Sequence, residues 1–417
     1  MLALASLLTA IPCHAIIKGD VEIDGVFYRP DTTDNTASMI GANVENVVIK
    51  PSITIDSKTY TVDKVKSAIN YDDKLYICKS IFFPSSIQKI DPFIFSNTPK
   101  LSSIDCESPE YKVVDGILYT KDMTTALCVP RDASSVNLPE TLEQLEFYAF
   151  QNCKYIQKLK LPNKLKISSN RFLGCSSLTE FIIDDTNTNL SVLDGVLYDK
   201  KYESLLAVPA TLDNVDIPST VIRIESYAFY GCTKIRNINL SENIILLVLG
   251  AFANSGLESC IIPNTVTESG TGILVFSDCS YLKTVVLSKN MNELRHGMFE
   301  NCTSLSSIYS PNPVPPTISS GTTFENVPRT ATVYVPEGSV EAYKAAPYWK
   351  EFFIEPMKTD PSVGVESAIS EDTEGSVTVF NVNGTKIYEG ERSGWNSPQA
   401  GIYVICRNGK KEKVLIH

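Results

Sequence analysis

A single motif, repeated, sets the limits on what this chain can fold into. Seven stretches share one frame: PSSIQKIDPFIFSNTPKLSSI from Pro84, PETLEQLEFYAFQNCKYIQKLKL from Pro139, PNKLKISSNRFLGCSSLTEFII from Pro162, PSTVIRIESYAFYGCTKIRNINL from Pro218, SENIILLVLGAFANSGLESCII from Ser241, PNTVTESGTGILVFSDCSYLKTVVL from Pro263 and SKNMNELRHGMFENCTSLSSIY from Ser288. Their common core is Phe, two residues, Cys, two residues, Leu or Ile, two residues, an apolar residue, one residue and a further apolar residue. Phe150, Phe172, Phe229, Phe252, Phe276, Phe299 and Phe324 mark the coils, with adjacent coils 22 to 25 residues apart.

A period of 20 to 29 residues with an L-x-x-L-x-L kernel specifies a leucine-rich repeat solenoid. One coil cannot bury its apolar face alone, so neighbouring coils supply the core and each inward residue stacks on its equivalent one coil away. In Pro218 to Leu240 the reading places Ile222, Ile224, Phe229, Cys232, Ile235, Ile238 and Leu240 inward and Gly231 in a turn. Two longer intervals carry a second motif, VVDGILYTKDMTTALCVP from Val113 and VLDGVLYDKKYESLLAVP from Val192, aligned at an offset of 79. Asp115-Gly116 and Asp194-Gly195 are hairpin turn signals, so each interval reads as a β-hairpin coil; the turn accounts for the aspartates without a metal.

The flanks read differently. Residues 16–74 hold DGVFYRP and an alternating stretch around Asp56-Ser57-Lys58, which suits a β cap over the first coil. Residues 329–357 form a strand ending at Pro336, a helix capped by Ser339, and an aromatic plug of Tyr348, Trp349, Phe352 and Phe353, a C-terminal cap. Residues 358–374 are small, polar and acidic, a linker. Residues 375–417 contain two strand pairs around Asn383-Gly384 and Asn408-Gly409, a small β-sandwich. At the other end, Leu2 to Ile11 is too short to span a bilayer and precedes Cys13-His14-Ala15, which reads as a signal peptide over residues 1–15, or else a buried strand, since no Lys or Arg precedes Lys18.

Charge and chemistry narrow the function. A net charge of −11 and no basic run argue against nucleic acid or an anionic membrane as partner. Cys153, Cys175, Cys232, Cys279 and Cys302 share one inward site, and Cys78, Cys106 and Cys260 replace apolar kernel residues, so buried free thiols are expected rather than disulfides. Only His14, His296 and His417 occur, and no phosphate loop, zinc spacing or catalytic constellation is present, so no cofactor, metal or catalytic residue is assigned. What remains is the outward set of kernel positions, an exposed strand face: Lys158, Lys160, Thr179, Glu180, Ile182, Arg236, Asn237, Asn239, Glu258, Lys283, Thr284 and Tyr309. Its mixed chemistry suits a protein or a glycan, or is ordinary solvated strand surface.

The AF-x-x-C-x-x-L-x-x-I-x-I-P coils, the DGVLY hairpin coils and the VYVPEGSVEAYKAAPYWKEF cap resemble the BspA-like leucine-rich repeat family of bacterial surface proteins over residues 20 to 355. VTVFNVNGTKIYEG with GIYVICRNGKKEKVLIH is similar to the C-terminal sorting domain of type IX secretion substrates. Ser255 and Thr98 depart from the pattern at the Cys site. The resemblance implies secretion, display on the bacterial outer membrane exterior and adhesion, without fixing a ligand.

The sequence therefore predicts a mainly β chain: a signal peptide at 1–15, a β cap at 16–74, a leucine-rich repeat solenoid at 75–328, a C-terminal cap at 329–357, a linker at 358–374 and a β sorting or attachment module at 375–417. The expected function is non-catalytic adhesion as a monomer. Partners are a protein or glycan on host or neighbouring cells, and the secretion machinery through residues 375–417. A scaffold role in the cell envelope and a carbohydrate-active enzyme are the alternatives.

Overall fold

The computed structural model describes residues 19–67 and 75–357, together with the strands Ser376–Asn381, Lys386–Glu391, Gly401–Arg407 and Lys410–Ile416. The expected signal peptide, the linker, both Asn-Gly turns, His14 and His417 lie outside the described residues. The chain divides into two compact units, residues 1–200 and 201–417, and each is described by itself.

The first unit opens with a mixed sheet. Val21–Ile23 and Val26–Asp31 form a hairpin across Asp24-Gly25, and Ser52–Ile55 pairs antiparallel with Lys58–Val65 across Asp56-Ser57. The turn residues carry positive φ, which hairpin turns of this length demand. The parallel kernel ladder starts earlier than Leu75: Asn46–Val48 pairs with Ser80–Phe83, which pairs with Ser103–Cys106. Val47, Ile81 and Ile104 form its buried column. Tyr111–Val114 and Ile117–Thr120 make the first hairpin coil, and Thr125–Cys128 then runs parallel to Gln144–Leu145. Lys158–Lys160 pairs in parallel with Glu180–Ile182.

The second unit shows the repeat at its most regular. Ser259–Ile261, Thr284–Val286, Ser307–Tyr309, Thr332–Val335 and Phe353–Pro356 form one parallel sheet, with Cys260, Val285, Ile308, Val333 and Ile354 as its buried column. Behind it the rings of Phe229, Phe252, Phe276, Phe299 and Phe324 stack with centroids 4.9 to 5.8 Å apart. A buried Phe contributes about 1.5–3 kcal/mol. Each such pair adds about 0.5–1.5 kcal/mol.

Two details explain why each Phe is followed by a small polar residue and a cysteine. The position before the cysteine, or before the Ser255 or Val327 that replaces it, is left-handed, with φ of 54 to 61° at Asn254, Asp278, Asn301 and Asn326 and 75° at Gly231. Only Gly, and at lower cost Asn or Asp, occupies that region readily. This turn aims a backbone N–H at the next coil: Asp278 donates to the Glu300 carbonyl and Asn301 to the Glu325 carbonyl, both at 2.8 Å. The thiol then donates to a carbonyl one coil back, from Cys279 to Phe252 at 3.0 Å and from Cys302 to Phe276 at 3.1 Å, and in the first unit from Cys175 to Phe150 at 3.2 Å. A cysteine is small enough for the stack, and its thiol adds a second bond to a carbonyl that already accepts a backbone N–H within its own coil, as Phe252 does from Ser255 and Phe276 from Cys279. All nine described cysteines are free, as expected.

The C-terminal cap closes the phenylalanine stack edge-on, with Trp349 and Phe352 against Phe324 at 5.4 and 5.2 Å. It is anchored on the proline-rich loop 311–316. The Tyr343 hydroxyl donates to the Asn312 carbonyl, Ser339 Oγ to the Pro313 carbonyl and Trp349 Nε1 to the Pro316 carbonyl, each at 2.8 Å. Prolines cannot pair a neighbouring strand through an N–H, so the loop's carbonyls are served by side chains instead. Three expectations need correction. Ser339 makes no side-chain bond to the helix Val340–Ala345, because its hydroxyl is committed to Pro313. Tyr348 and Phe353 stay exposed, so the plug is Trp349 and Phe352. Ile222 is only half-buried, and Val221 takes its inward place, because a turn from Pro218 to Val221 precedes the two-residue strand Arg223–Ile224.

The four C-terminal strands pair as one antiparallel sheet, with Ser376–Asn381 and Gly401–Arg407 central.

Candidate functional site

On a strand, alternate residues face opposite sides, so each buried kernel residue leaves two outward neighbours. In the first unit these are Lys158 and Lys160 on one strand, and Glu180 and Ile182 on the next, with Thr179 leading in. The structure brings all five together. Lys158 pairs with Glu180, Lys160 reaches Asp184 at 3.2 Å, and Thr179 Oγ1 donates to the Gln157 carbonyl at 2.8 Å. Ile182 is 40% exposed. The second hairpin borders this face: a Cβ on Gly195 would lie 3.3 Å from the Thr179 carbonyl oxygen.

In the second unit the outward set is Arg236, Asn237, Asn239, Glu258, Lys283 and Thr284. Glu258 accepts from Lys283 at 2.7 Å and lies 3.8 Å from Arg236. Ser259 Oγ donates to Asn237 at 3.0 Å. Lys283 and Asn239 are exposed, and Thr284 is half-exposed. Surface ion pairs of this kind contribute about 0–1 kcal/mol. Their larger effect is to alternate charge from coil to coil, so that neither face is a block of one sign.

Arg236 is held more firmly than the others. Every other Phe-marked coil from Phe95 to Phe299 places Leu or Ile three residues after the Cys-site residue, as in Cys232–Ile235 and Cys279–Leu282; after Ser255 the leucine comes at Leu257, one residue early. The usual turn bond is replaced by a Gly256 N–H donated to the Cys232 carbonyl of the preceding coil at 3.1 Å. The shortened coil leaves a notch that Arg236 fills. Its Nη1 donates to the carbonyls of Thr233 and Gly256, both at 2.9 Å, and its guanidinium passes over the short coil to lie 4.8 Å from the centre of the half-exposed Tyr281 ring. A Cβ at position 256 would collide with the Thr233 carbonyl and with Nη1, so only glycine fits. Tyr281 and Gly256 were not among the sequence candidates. The one-residue gap in S-G-L was the available signal.

Tyr309 is not on an open surface. It is 4% exposed, its ring stacked on Tyr334 at 4.7 Å, and burial followed by the Tyr334 hydroxyl raises its pKa to about 12. It points outward by register, between Val286 and Tyr334 in its column.

Among the described residues no three of His, Cys, Asp and Glu gather as a metal-binding group, and no helix is long and apolar enough to cross a membrane. The sequence matches the BspA type leucine-rich repeat region in six copies, over residues 50–131, 130–193 and 208–328. The chain belongs to this repeat family. No curated protein gave a match. Similar solved structures include the pneumococcal vaccine antigen PcpA, at 19% identity over 82% of this chain and 99% of that one, with a TM-score of 0.39. A leucine-rich repeat protein from Eubacterium ventriosum shows 16% identity over 84% and 96%, with a TM-score of 0.42. A leucine-rich cell surface protein from Faecalibacterium prausnitzii shows 16% identity over 82% and 96%, with a TM-score of 0.34.

Proposed function

We propose that this BspA-type repeat protein is secreted and displayed at the bacterial surface, where the outward strand faces bind a macromolecule, a protein or a glycan on host or neighbouring cells. The supporting observation is the laddered face itself: polar side chains repeated across parallel strands whose inward residues are fully committed to the core. Such a face offers an extended, pre-ordered surface, and ordering costs little on binding. In this reading Lys158, Lys160, Glu180, Arg236, Glu258 and Lys283 make the polar contacts, and the Arg236–Tyr281 pair supplies the residue types that concentrate interface energy. Residues 1–15 act as the export signal and residues 375–417 as a sorting or attachment module. The role is non-catalytic, in keeping with repeat-family membership.

Solution binding of the chain to a panel of matrix proteins and glycans tests this. Saturable binding to one of them is expected; hydrolysis of a panel glycan with no binding elsewhere would contradict it. Loss of export on deleting residues 375–417, with normal synthesis, is the result expected of a sorting module.

A further inference from the structure

The five-stranded sheet of the second unit has two outward columns. One runs Ser259, Thr284, Ser307, Thr332, Phe353, and the other Ile261, Val286, Tyr309, Tyr334, Glu355. The first ends in a widely exposed Phe353. In the second, Val286 has no exposed surface and Tyr309 almost none, although register turns both away from the core. The equivalent position Phe82, flanked on both sides by Val48 and Asp105, is only half-buried. Ladder neighbours alone do not close such a position. Tyr309 is also engaged beyond its stack with Tyr334.

We infer that the C-terminal four-stranded sheet, residues 376–416, packs over the Val286–Tyr309 patch and covers this part of the strand face. Three observations select that occupant. The patch is apolar, and sheets that bury one face need such a surface to stand as stable modules. The chain leaves the repeat at Pro356, two strands along the sheet from Tyr309, so the origin of the connecting segment is beside the patch. Residues 358–375 span up to roughly 60 Å when extended, ample to return across five strands about 4.8 Å apart. The C-terminal sheet also falls within the same compact unit, 201–417. The packing stands whether or not the faces bind a ligand. If they do, the module shields one part of the face while leaving Arg236 and Lys283 accessible.

Cross-linking of the full chain decides it. An amine-reactive cross-linker on the unaltered protein should join Lys283, at the rim of the patch, to lysines of residues 376–416. A full chain with p-benzoylphenylalanine in place of Tyr309 should, on irradiation, yield cross-linked peptides from 376–416. Cross-links from position 309 to residues 1–18 or to a second copy overturn the inference, as does the absence of any to 376–416. Should the position 309 variant not fold, the Lys283 cross-links decide alone, and their absence overturns it equally.

Discussion

The guanidinium of Arg236 lies 4.8 Å from the centre of the Tyr281 ring two coils further along, and it reaches there because the coil between them is one residue short at Gly256. One side chain thus ties three successive coils, through the Thr233 carbonyl, the Gly256 carbonyl and the Tyr281 ring. Arg236→Ala should destabilise the protein by about 1–2 kcal/mol, given two hydrogen bonds and a partly exposed cation–π contact. Arg236→Lys should recover less than half, since an ammonium cannot bond both carbonyls and cover the ring. A double-mutant cycle with Tyr281→Ala should show coupling of about 0.5 kcal/mol. Gly256→Ala should cost on the order of 2–3 kcal/mol, through its collision with backbone. Urea denaturation of each variant measures these values.

The thiols make the fold sensitive to alkali. Burial raises Cys78 and Cys153 to about 12 and Cys279 to about 11, from an ordinary value of 9.0. The folded state therefore keeps protons that the unfolded state releases, so their contribution is complete below pH 9 and is lost as pH rises towards 11–12. Stability should be flat from pH 6 to 8 as far as these groups decide it, and fall steeply above pH 9. Among the nine described cysteines, only the half-buried Cys106 should react with a thiol reagent in the native protein at pH 8.

Asn301 separates two demands made on one position. It has φ of 61°, and its Nδ2 donates to Asp278 at 2.8 Å while its Oδ1 accepts from Asn326 at 2.7 Å. Asn301→Gly keeps the backbone unstrained and loses the side-chain ladder, whereas Asn301→Ala loses both. Thermal melts should rank wild type above Gly above Ala, with Ala lower by about 1–2 kcal/mol in total.

The repeat frame, the hairpin coils, the inward phenylalanines and the buried thiols were legible because each recurs, and recurrence in a stack means one environment repeated. What was not legible depends on single departures. The leucine arriving early after Ser255 is visible as one missing residue, but that Arg236 would cross the gap to Tyr281 follows only from the coils' placement. Tyr309 was misread as open because alternation gives the direction of a side chain and not what lies over it. Val221 was passed over for Ile222 because period-two alternation was extended into a turn, where it does not hold.

The cap gives a direct stability test. Tyr343→Phe removes a hydroxyl that donates to the Asn312 carbonyl and contacts Ser310 Oγ at 2.7 Å, all of it buried. About 1–3 kcal/mol should be lost, because a buried carbonyl is left without a partner. Trp349→Ala, which uncovers Phe324, should cost about 3–5 kcal/mol. Both should open the C-terminal coils first, detected as faster amide exchange at residues 307–335 than at 229–252.

The most direct test of binding through the strand faces is the change in Kd, for whichever panel ligand binds, on reversing Lys158, Lys160, Arg236 and Lys283 to Glu in the full chain. A control reverses Glu341 and Lys344 on the capping helix, where the two form an exposed pair. At least tenfold weaker binding for the strand-face variant and less than twofold for the control, with both folded, is the predicted result. Equal affinity for the strand-face variant and the wild type would contradict the account.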